Sequence, residues 1–169
     1  MKWREGKRAM QLDARLSRML HILIHMDHAK APVTSELAGR ILDTNPVVVR
    51  RMMAGLRDAG HVASVKGHGG GWTLQHGLDR ITMLDVYRAV GEPRVLSIGL
   101  ANPAPTCLVE QAVNARMAQA LQEAHDLFIS RLATVTLADI AGDFTMRLAA
   151  HGMTQDDAAA TLEGKPAPA

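Results

Sequence analysis

A chain of 169 residues, 47% apolar and 21% charged, supplies one ordinary globular domain with an accessory element, and this argues against a multi-domain enzyme. Its apolar runs fall short of the roughly 18 residues a membrane-crossing helix requires, and its basic start, Met1 to Arg8, lacks the apolar stretch of a secretory signal, so a cytoplasmic location is expected. The formal net charge of +2 is unevenly spread: residues 1–80 hold 13 Lys and Arg against 7 Asp and Glu, residues 81–169 hold 6 against 10, which suits an anionic partner for the first half.

Residues 1–9 read as a basic extension. From Leu12 to Met26 the residues Leu12, Leu16, Met19, Leu20, Leu23 and Ile24 recur at three- and four-residue steps and predict an amphipathic helix. A short helix follows, capped by Thr34 or Ser35, with Leu37, Ala38 and Ile41 facing inward. After the turn at Asp43-Thr44, Asn45-Pro46 is an N-cap followed by an N1 proline. The helix it opens runs to Ala59 and stops at Gly60. Two helices joined by a few residues have helix-turn-helix spacing. On the third helix Val49, Met52, Met53 and Leu56 form the inward stripe, so Val47, Arg50, Arg51 and Ala54 face out, with Val48 on the flank. Two guanidiniums among short side chains are what a major-groove reader needs, although an ordinary solvated face has the same pattern and the outward Asp58 would repel phosphate. Val62 to Val65 and Trp72 to Leu74 then flank Lys66-Gly67-His68-Gly69-Gly70-Gly71, a hairpin with a basic tip. A phosphate-binding glycine loop is disfavoured there, because the segment leads into a strand and no Gly-Lys-Ser/Thr follows.

The segments Glu36-Leu37-Ala38, Leu56 through Leu74, and Ile81-Thr82-Met83-Leu84-Asp85-Val86-Tyr87-Arg88-Ala89-Val90 together resemble the Rrf-two family of bacterial winged-helix transcription regulators, over roughly Met10 to Phe144. The resemblance implies a mainly α fold with a small β-hairpin, a winged helix-turn-helix plus a long dimerisation helix. It also implies a homodimer on palindromic double-stranded DNA. By position it assigns base reading to Asn45, Val47, Val48, Arg50 and Arg51, and the wing's basic contact to Lys66 with its neighbours His68 and Gly69. Cluster-binding relatives carry three cysteines before the long helix. With Cys107 alone the chain is similar to the cluster-free branch, and no cofactor is expected.

Thr82 to Asp85 reads as a capping box with Asp in the place of Glu, opening a helix that ends at Gly91, so the winged domain is taken as residues 10–91. Residues 92–107 read as a proline-containing linker and candidate sensor segment. From Leu108 to about Leu132 the stripe Val109, Val113, Met117, Ala120, Leu121, Ala124 and Phe128 predicts a helix of roughly 37 Å, at about 1.5 Å per residue, whose burial calls for a second copy. Thr136 to Asp139 caps a short last helix, which closes a 108–151 dimerisation unit, and residues 152–169 read as a disordered tail.

Cys107 stands at a helix N-terminus, where amide groups favour a thiolate, and this makes it a redox-sensing candidate. Packing as a small hydrophobe is the alternative, and Glu110 opposes the thiolate. His21, His25 and His28 share a helix face without a residue to complete a metal site, so no metal is assigned. No catalytic constellation is present. The expected function is a sequence-specific regulator acting as a repressor. Its competitors are a protein-interaction module on a winged-helix scaffold, a regulator answering to a small-molecule or protein effector, and a thiol-dependent enzyme.

Overall fold

A computed structural model describes residues 13–96 and 98–154. The basic extension and residues 155–169 of the tail lie outside the described residues, as does Leu12. The chain runs α1 (Arg15–His28), α2 (Ser35–Ile41), α3 (Pro46–Asp58), β1 (Val62–Val65), β2 (Gly71–Leu74), a 3-10 turn (Leu78–Arg80), α4 (Met83–Ala89), α5 (Leu108–Thr134) and α6 (Leu137–Ala150). This is the mainly helical winged architecture expected.

Helix α1 begins three residues later than its apolar spacing predicted. The Asp13 carboxylate accepts the Arg15 backbone N–H at 3.0 Å, so the first free amide of the helix is met after Asp13. Met19, Ile22, Leu23, Ile24 and Met26 are buried on α1. Ile22 and Met26 were not on the predicted stripe. They are covered because α4, β2 and α6 all pack against this helix.

The predicted caps are present. Thr34 Oγ1 accepts from Leu37 N at 3.1 Å, and Asn45 Oδ1 accepts from Val47 N at 2.8 Å. Helix α3 ends in a Schellman motif, with Gly60 N donating to Arg57 O and His61 N to Leu56 O, both at 2.9 Å. Gly60 takes φ +83° there, a conformation that glycine adopts without Cβ strain. The same motif ends α4 at Gly91 and α6 at Gly152. Residues 152–153, expected in the disordered tail, are thus the cap of α6.

All four residues of the predicted α3 stripe, Val49, Met52, Met53 and Leu56, are buried. Each such side chain contributes about 1.5–3 kcal/mol by leaving water. The strands pair antiparallel with Val62 opposite Leu74 and Val65 opposite Gly71. The hairpin is sewn to the segment before α2 by Val33 N to Trp72 O at 3.0 Å and Trp72 N to Val33 O at 2.9 Å. Trp72 Nε1 also donates to the buried Ser35 Oγ at 3.0 Å.

The last helix is neither short nor remote. Its 14 residues follow a backbone junction in which Met83 N donates to Val135 O at 2.9 Å and Leu137 N to Ile81 O at 2.8 Å. Thr82 and Thr136 pair across that junction, and each heads a capping box with an Asp three residues on. Leu137 is fully buried in the core cluster of the winged domain, and Ile140, Ala141 and Phe144 pack on it. No helix of the described residues is long and apolar enough to cross a membrane.

Candidate nucleic-acid interface

The exposed side of α3 carries Val47, Val48, Arg50 and Arg51, as the helical spacing predicted. Asn45, also exposed, precedes them, and its side-chain oxygen is engaged by the cap. Asp58, expected to repel phosphate, is held by its neighbour Arg57 at 2.7 Å. Lys66, His68 and Gly69 are all exposed on the wing tip. A Cβ on Gly70 would stand 2.3 Å from Val65 O, so the hairpin closes only with glycine at that position.

The fold brings part of the predicted set together. Arg50 shares a cleft of about 270 Å³ with Glu36, Ser64, Gly70, Gly71 and Trp72, so the recognition helix and the root of the wing line one surface. Glu36 was missed as a site residue. Its carboxylate forms an ion pair with the Arg50 guanidinium across a separation of 14 positions, a partnership that periodicity does not encode.

Behind this surface α3 rests on α4 at an unusually close approach. A Cβ added to Gly55 would stand 2.0 Å from Ala89 O. Helix α4 in turn packs on α5 through Leu84, Tyr87 and Leu132, with Phe128 against them. The Tyr87 and Phe128 rings meet edge-on at 5.8 Å. The segment between α4 and α5 is pinned at its start, where Tyr87 Oη donates to Pro93 O at 3.1 Å. It also folds onto α5, where Asn114 Nδ2 donates to Asn102 O at 2.7 Å.

The apolar stripe predicted on α5 divides in two. At about 100° per residue, Leu121, Phe128 and Leu132 lie toward one edge, and there Phe128 and Leu132 meet the chain's own α4. Val109 and Val113 lie toward the other edge, where Leu127, which the predicted stripe did not include, joins them; the three are 72%, 53% and 72% exposed. Cys107 is exposed at the N-cap of α5. The backbone N–H groups of Glu110 and Val109 face its sulfur and hold its pKa below the ordinary thiol value. Glu110, expected to oppose the thiolate, thus favours it through its amide.

The three α1 histidines do not converge. His21 Nε2 and His25 Nε2 bond to each other at 2.9 Å, whereas the ring of His28 lies 6.0 Å from Phe144 and its Nε2 is buried without a partner. Burial, then the proximity of His21 and of His28, pushes the His25 pKa down from 6.5 to about 4. Because the folded state resists protonation, stability is full above about pH 6.5 and is lost as pH falls toward 4. The melting temperature is expected to drop on acidification from pH 7 to 5, and His25→Gln to flatten that dependence. An equal slope in the variant would contradict the assignment.

Helices α2 and α3 around a tight turn, with a hairpin beside them and arginines on the open side of α3, make this a winged helix-turn-helix DNA-binding protein. Comparison with known proteins narrows the class. The chain belongs to the Rrf2 family, described as "Iron-dependent Transcriptional regulator", which matches residues 12–143. It is 32% identical over 131 residues, 76% of this chain and 96% of the relative, to YwnA of Bacillus subtilis (strain 168), described provisionally as an HTH-type transcriptional regulator. Its fold is similar to that of a transcriptional regulator of Lactobacillus plantarum, also a provisional description, at 20% identity and TM-score 0.68 over 79% of this chain and 91% of that one. It is likewise similar to CymR, the global cysteine regulator of B. subtilis, at 23% identity and TM-score 0.51 over 79% and 97%. The chain is therefore a DNA-binding transcriptional regulator and not an enzyme.

The family description invokes iron, and the donor set here does not fit a thiolate-held cluster. Cys107 is the one cysteine of the chain. Among the described residues no group of three His, Cys, Asp or Glu side chains is placed to hold a metal ion.

Proposed function

We propose that this chain is a homodimeric, cytoplasmic repressor that binds a palindromic operator and is released by oxidation of Cys107. Asn45, Val47, Val48, Arg50 and Arg51 enter the major groove, and Lys66, His68 and Gly69 on the wing contact the adjacent backbone. The observation that carries this reading is the shared surface: Arg50 lines one cleft with Gly70 and Gly71 of the wing root. The unpartnered edge of α5 supports a two-fold pair, which would set the half-site spacing. Peroxide would act through the thiolate, which attacks one peroxide oxygen; the O–O bond breaks, hydroxide leaves and Cys107 becomes a sulfenic acid.

The test begins with an operator duplex selected by the purified protein from a random-sequence pool. Arg50→Ala should weaken operator binding by about 1–3 kcal/mol, and Lys66→Ala should reduce the salt slope by about 1 while weakening all sequences alike. Peroxide should release the wild type but not Cys107→Ser. Failure to enrich any sequence overturns the operator reading, and release of Cys107→Ser by peroxide overturns the thiol reading alone.

A further inference from the structure

We propose that Glu36 is a positioning residue for Arg50, which raises operator specificity by holding the guanidinium in one geometry and by lowering affinity for DNA of unrelated sequence. The inference deepens the proposed function and rests on Arg50 reaching the groove.

Glu36 stands on a fixed base. It follows Ser35, whose hydroxyl is bonded to the indole of Trp72, and it lies in the first turn of a helix capped by Thr34. Through Trp72 that turn is tied to wing strand β2, whose next residue toward the tip, Gly71, has room for no Cβ: one would stand 2.8 Å from Val33 O. The Glu36 carboxylate is therefore carried by the first turn of α2, which is tied to the wing through Trp72, and reaches across to Arg50 on α3.

The ion pair it makes there does little for the fold. Both side chains are more than half exposed, Arg50 at 55% and Glu36 at 56%, and exposed pairs are worth little to stability. Its consequences fall on DNA. A guanidinium has five N–H donors, so one anchored by a carboxylate oxygen keeps others for a base edge or a phosphate. Anchoring also removes rotamer freedom before DNA arrives. In a complex with unrelated DNA, where binding comes from charge alone, the carboxylate offsets the positive charge of Arg50 and repels phosphate. Specificity is the difference between the two complexes, and Glu36 widens it from both sides, favouring the operator complex and disfavouring the other.

Glu36→Gln keeps an acceptor oxygen and removes the charge. It should tighten binding to a scrambled duplex about three- to tenfold at low salt and steepen its salt slope by about 1. It should change binding to the selected operator less, so that the ratio of the two affinities falls. In an Arg50→Ala background the substitution should leave that ratio unchanged, because no guanidinium remains to position. Thermal melting should match the wild type, which separates the effect from a loss of fold.

An unchanged ratio for Glu36→Gln, in a protein whose Arg50→Ala variant does lose operator affinity, overturns the role of Glu36 alone. So does an equal fall in both backgrounds. If Arg50→Ala binds operator and scrambled duplex as the wild type does, the groove reading of Arg50 fails and the proposal fails with it.

Discussion

Gly55→Ala is expected to destabilise the protein by about 2–3 kcal/mol, the cost of overpacking a close contact, and to lower the melting temperature by roughly 5–10 °C. The sign is the informative part. Alanine is favoured over glycine in a helix interior by about 1 kcal/mol, so at an open position the same change would stabilise. Here the added Cβ would stand 2.0 Å from Ala89 O. That carbonyl belongs to the last turn of α4, so relief requires the two helices to separate. Thermal denaturation with circular dichroism reads the result, and a rise in melting temperature would show that α3 and α4 are not held at this distance. Helix α4 lies between α3 and α5 and packs on both, so loss of the contact would be felt on either side of it.

In the proposed two-fold pair, Val113→Asp is expected to convert the dimer into a monomer, with the dissociation constant rising at least about a hundredfold. Val113 is 53% exposed and shares its edge of α5 with Val109 and Leu127, each 72% exposed. In a two-fold pair the substitution places two carboxylates in one apolar contact. Leaving a charge unpaired in such a site costs about 3 kcal/mol or more, and every 1.4 kcal/mol is a factor of ten. Sedimentation measures the effect directly, and operator affinity should fall with it because each half-site then binds alone. The fold itself should persist, since the edge of α5 that holds Phe128 and Leu132 against α4 is untouched. A variant with unchanged mass in solution would exclude this edge as the interface.

The two expectations differ in how much of their basis is visible in sequence. The apolar edge of α5 follows from spacing, although the division of its stripe does not. Gly55 carries no local mark at all. It is a glycine inside an otherwise regular helix, and its reason lies 34 positions away at Ala89.

That contrast holds for the molecule as a whole. The sequence by itself determined the beginnings and ends of most elements: Thr34, Asn45 with Pro46, Thr82 with Asp85 and Thr136 with Asp139 all act as caps, and Gly60 closes α3. These signals work because a cap satisfies backbone groups within three or four residues of itself, so the information and its effect occupy the same stretch of chain. The α3 stripe was equally legible, since a 3.6-residue period assigns one face without knowledge of the partner. With it came the outward arginines.

Tertiary structure alone decided the rest. It buried Ile22 and Met26 by packing three elements around α1. It returned α6 to the winged domain through a junction between residues more than 50 positions apart. It also set Glu36 against Arg50 and drew α3 onto α4. Each depends on where separate elements come to rest against one another, a result of close packing among side chains distant in the chain, and no local period records it.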